Sequence, residues 1–167
     1  LFIFIRYVLI TKKIIPGFDL DPKEKKNAKI IVEDSNACTA EWVNYSLLEL
    51  YLRAEVKVVM IASQQSYFHY NTVLKKMSGI NLQTTIDSDK LVFIDCFSEP
   101  FSFNQFQNLP VSTTVPNTYS LQSPKKLLKW SNDGNGFASL FEMINEQIQD
   151  NQQTLILFDN LSGLMQG

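Results

Sequence analysis

The chain has 167 residues, 45% hydrophobic and 19% charged, which suffices for one domain with its own core and excludes a disordered chain. A formal net charge of −2 excludes a surface that is basic throughout, so a nucleic-acid role needs a local basic patch or partner subunits. Two cysteines, Cys38 and Cys96, and the single histidine, His69, supply neither a disulfide framework nor a recognisable zinc site, and a reduced intracellular protein is expected.

Residues 1–10 form an apolar run interrupted by Arg6. It falls short of the roughly 20 residues a membrane-spanning helix needs, and no small-residue cleavage site follows it. Its aromatic and β-branched side chains favour a strand, the competing reading being that this end is an artefact of the gene's start. Pro16-Gly17 breaks the chain, and 19–26 is a charged loop. A short buried strand is predicted over 29–33 and a turn over 34–39. Thr39 can N-cap a helix over 40–54, with an apolar face of Trp42, Val43, Leu47, Leu50, Tyr51 and Ala54.

The run 56–62 is bounded by charge before it and by Ser63-Gln64-Gln65 after it, as suits a strand buried on both faces. Tyr67, Tyr70, Val73, Leu74 and Met77 then share one face at 3.6 residues per turn. Ser66 stands at the N-cap of that helix, and Gly79 follows Lys75 and Lys76 where a C′ glycine belongs. A turn at 87–89 leads to a third apolar strand over 91–96.

The stretch 98–123 differs in kind, with Pro100, Pro110 and Pro116 among many Ser, Thr, Asn and Gln residues. A loop this long inside a domain is uncommon: it is functional, docked on a partner, or disordered. Phe97, Phe101, Phe103 and Phe106 argue that part of it packs on something. Pro124 is read as starting a short basic helix, with Lys125, Lys126 and Lys129 around Leu127, Leu128 and Trp130. After a turn at 131–136, an amphipathic helix is predicted over 137–150 on Leu140, Phe141, Ile144 and Ile148. A fourth buried strand over 154–158 ends in Asp159-Asn160. Strands alternating with helices imply an α/β fold with a mostly parallel sheet and helices on both faces.

The first strand-to-helix turn is where a nucleotide-binding α/β protein holds phosphate. A P-loop needs glycines, so that backbone N–H groups close on phosphate, and a lysine that reaches the outer phosphates. Residues 34–41 offer neither, and Asp34 and Glu41 would repel a triphosphate. No G-x-G-x-x-G is present either. The chain alone is therefore expected neither to bind ATP tightly nor to hydrolyse it. Residues 155–159 look like a Walker-B strand, but without the P-loop hydroxyl they read as an ordinary strand end. Asp34, Asp95 and Asp159 all fall near C-terminal strand ends, where open α/β sheets place active sites. A small magnesium-dependent phosphoryl-transfer enzyme is thus the alternative, against which the D-x-D of one such phosphatase class is missing. His69, among aromatics and without a local Ser or Cys partner, reads as a packing residue. Lys75 and Lys76 complement a helix C-terminus; with Lys125, Lys126 and Lys129 they are also the material for an RNA-facing patch. No residue is assigned a catalytic, cofactor-binding or metal-binding role.

The run 65–71, QSYFHYN, resembles the Q-S-aromatic-x-H-Y segment of the Elongator subunit 6 family. Gly79, Ile80 and Leu82 continue the likeness, as do 91–94. Leu155, Ile156, Asp159, Asn160, Leu161, Ser162, Leu164 and Gly167 are similar to the family's late segment. Order and spacing agree over about 29–167. The resemblance implies a RecA-like fold, of the P-loop-NTPase type but lacking a working P-loop. It implies a non-catalytic subunit in a heterohexameric ring with Elongator subunits 4 and 5, without a cofactor or a membrane. That ring would bind tRNA and dock on the catalytic Elongator subcomplex that modifies the wobble uridine. The expected location is cytoplasmic, with a nuclear pool also open. Residues 1–28 do not resemble the family's start and are read as an N-terminal extension, with 29–167 a partial RecA-like domain carrying the loop at about 98–123. The sheet is expected to be incomplete at the C-terminus, its last strand without a neighbour and its edge open.

Overall fold

The computed structural model describes residues 2–3, 41–98, 127–130, 137–149 and 152–161. At its centre lies β2, Lys57–Ala62, buried along its whole length. Its side chains alternate between faces, as strand geometry requires: Val58, Met60 and Ala62 enter one apolar cluster, Val59 and Ile61 the other. β3, Leu91–Asp95, and β5, Thr154–Phe158, flank it in parallel, with Val58 opposite both Leu91 and Leu155. Two short strands finish the sheet: β1, Phe2–Ile3, beside β5, and β4, Leu128–Lys129, beside β3. The order is β1-β5-β2-β3-β4, and every pairing is parallel.

A parallel sheet has to be covered on both faces. On one face lie α1, Glu41–Arg53, α2, Tyr67–Ser78, and α3, Leu82–Asp87. They bury Leu47, Leu48, Tyr51, Tyr70, Leu74, Leu82 and Ile86 against β2, β3 and β5. On the other face α4, Ala138–Glu146, buries Leu140 and Ile144 beside Trp130. Fully burying one such leucine or isoleucine contributes about 1.5–3 kcal/mol.

The caps of α2 are those its sequence predicts. Ser66 is extended and its side chain accepts from the His69 N–H. Gly79 is left-handed at φ 73°, and its N–H donates to the Lys75 carbonyl. Tyr70 and Leu74 are buried as expected, whereas Met77 is 51% exposed. The helix buries a narrow stripe, and its last turn is not part of it.

Four expectations need correction. Residues 128–129 are not helical: Leu128 and Lys129 pair with Ile94 and Asp95, and the Trp130 N–H donates to the Asp95 carbonyl. The open edge of β3 offers backbone partners there, and burying Trp130 outweighs a short helix. The helix predicted over 137–150 is shorter, ending where the Gln147 N–H turns back to the Ile144 carbonyl. Its Phe141 and Ile148 face outward, 49% and 36% exposed. A helix absent from the sequence reading, α3, is capped by the Asn81 side chain, and the Asn71 side chain accepts from the Leu82 N–H. Last, β5 is not an edge without a neighbour: Ile156 and Leu157 pair with Phe2 and Ile3 while the other side pairs with β2. Parallel crossovers let a strand late in sequence enter the middle of a sheet.

The strand predicted over 29–33, the turn and empty phosphate loop at 34–40, the loop over 99–123, residues 124–126 and the turn at 131–136 lie outside the described residues. No described helix is long and apolar enough to cross a membrane.

Candidate functional site

β2, β3 and β5 all end at the same edge of the sheet, and the strand-end aspartates stand there. Asp159 immediately follows β5 and is only 6% exposed. Its Oδ1 accepts from the Ser63 N–H at 2.8 Å and lies 2.9 Å from the Ser63 hydroxyl. Its Oδ2 accepts from the Gln64 N–H at 3.0 Å, the Gln65 N–H at 3.4 Å and the Tyr70 hydroxyl at 3.2 Å. These donors come from the β2–α2 loop and the first turns of α2, whose dipole also favours a negative charge. A carboxylate has about four lone-pair sites. The Ser63 hydroxyl has one proton and also lies within hydrogen-bond distance of the Asn160 carbonyl, so the three N–H groups and the Tyr70 hydroxyl are the four donors that saturate them.

Two effects oppose each other at this carboxyl. Burial raises its pKa above the ordinary carboxylate range, and the N–H and O–H donors pull it back down. Burial is the larger. The same carboxylate raises the Tyr70 hydroxyl pKa, after burial itself.

Asp95, at the end of β3, is 3% exposed and turns back on its own chain. Oδ1 accepts from the Phe97 and Ser98 N–H groups at 3.0 and 2.9 Å, and Oδ2 from the Ser98 hydroxyl at 2.6 Å. Next to it Cys96 is buried, its thiol pushed up to about 12 by burial, then by the Asp159 and Asp95 charges. Asp34, the third aspartate expected at a strand end, is outside the described residues. Among the described residues no group of three or more His, Cys, Asp or Glu side chains is placed to hold a metal ion.

His69 joins a second cluster. Its Nε2 lies 2.8 Å from the Tyr45 hydroxyl and 3.5 Å from Glu41 Oε1. Tyr45 donates its proton to Glu41 Oε1 at 2.7 Å. A phenol has one proton, so His69 Nε2 must carry the hydrogen shared with Tyr45. Burial raises the Tyr45 pKa, and the bond to Glu41 adds to it. Tyr45 also packs on Tyr70, ring centres 5.3 Å apart, so this cluster abuts the Asp159 latch.

Among the described residues the lysines do not gather into one patch. Lys75 and Lys76 close α2, which runs back from the site toward the opposite end of the sheet. Lys129 stands opposite Asp95 in the backbone register of β3 and β4, at the site's end, and Lys125 and Lys126 are outside the described residues. An open groove of about 540 Å³ lies at the far end, between Leu52, Arg53, Ile80, Thr84 and Lys90.

Sequence reasoning singled out Asp159, Asp95 and His69 but not their partners. Glu41 and Tyr45 stand four apart on a helix, a spacing that could have paired them. Nothing local ties Asp159 to Ser63, 96 residues earlier.

The family model described as Elongation complex protein 6 matches residues 18–166. Elongator complex protein 6 of Xenopus laevis is 39% identical to the chain over 62 residues. That match covers 37% of this chain and 23% of the relative's length. No solved structure matches.

Proposed function

Since the chain belongs to the Elongation complex protein 6 family, we propose that it is a non-catalytic subunit of the Elongator complex. In this reading its domain is RecA-like and assembles with Elongator subunits 4 and 5 into a heterohexameric ring. The ring binds tRNA and supports modification of the wobble uridine by the catalytic subcomplex, in the cytoplasm and with a nuclear pool. The observation that carries the subunit assignment is the family match over 18–166.

The absence of a catalytic role is supported by the chemistry of Asp159. A carboxylate that served as a Walker-B group would turn a lone pair toward a magnesium ion. Here both oxygens are taken by the β2–α2 loop and Tyr70. Asp159 therefore acts as a latch between β5 and α2. The test is purification of the tagged protein from its own cells with mass spectrometry of what accompanies it. Recovery of subunits 4 and 5 in comparable amounts is expected. Recovery of a folded protein alone would overturn the reading.

A further inference from the structure

We draw no further inference here: the strongest candidate, the cradle of donors at the start of α2 formed by the Ser63, Gln64 and Gln65 N–H groups with the Tyr70 hydroxyl, is filled by the chain's own Asp159, belongs to the site already described, and has no second observation that points to a ligand.

Discussion

Replacing Asp159 by alanine tests whether the latch holds the site edge together. Two of its backbone bonds are short, 2.8 Å from Ser63 and 3.0 Å from Gln64, while the Gln65 bond is long at 3.4 Å. A hydrogen bond to a charged group nets about 1.5–3 kcal/mol, so the two short bonds give about 3–6 kcal/mol gross. Water reaches this loop, since Gln64 is exposed and Ser63 half-buried, and removing the carboxylate also returns its desolvation cost. Those two effects cut the figure to about half. The Tyr70 hydroxyl, in a residue with no exposed surface, is then left without its Asp159 acceptor, adding about 1 kcal/mol. The expected loss is about 3 kcal/mol, or about 6–12 °C in Tm for a chain of this size. Urea unfolding followed by circular dichroism reads it. Tyr70→Phe alone should cost about 1 kcal/mol, because its bond is long for a charged acceptor. In the Asp159→Ala background the same change should cost nothing or stabilise, since it removes an orphaned hydroxyl. A loss below about 1 kcal/mol for Asp159→Ala, with the two changes additive, would refute the latch.

Three further outcomes are expected. The raised Asp159 pKa means that, between the unfolded and folded values, the folded state holds a proton the unfolded chain has released, so the part of the stability linked to that proton is full below the ordinary carboxylate pKa and is lost as pH rises through the folded value. The destabilisation by Asp159→Ala should thus shrink as pH rises through that window; growth instead would mean that the donors outweigh burial. In a Cys38→Ser background, Cys96 should stay unreactive toward a disulfide reagent at neutral pH until the protein unfolds, given its burial and a thiol pushed up to about 12; labelling at the rate of a free thiol would contradict the packing of β3. Gly79→Ala should cost about 1 kcal/mol in thermal unfolding, through backbone strain alone, since a Cβ there meets nothing within 4 Å. Glu55→Gly should cost less or stabilise, because Glu55 already sits at φ 61° and gives up only a surface pair with Lys90. Equal losses at the two positions would refute the strain argument.

The β2–α2 unit was legible in the sequence because every signal in it is local. An apolar run marks β2, the Ser66 side chain bonds three residues ahead, and Gly79 takes a φ that only its own lack of a Cβ makes easy. The same holds for the strands 91–95 and 154–158, whose unbroken apolar runs announce burial on both faces. The short elements were not legible. Two residues of β4 and six of α3 carry too little periodicity to outweigh neighbouring lysines or a turn signal, and their existence rests on an open strand edge and on Asn71 and Asn81.

By itself, then, the sequence determined the α/β class, the capped helix after the central strand, and the family, through segments whose meaning lies within a few residues of one another. Only the tertiary structure decided that β5 lies between β1 and β2, and that Asp159 faces Ser63, Gln64, Gln65 and Tyr70 rather than open solvent. Those partners stand 89 to 96 residues earlier in the chain. No hydrophobic period or capping rule reaches across that distance; the parallel pairing of β2 with β5, which ends both strands at the same edge of the sheet, brings them together.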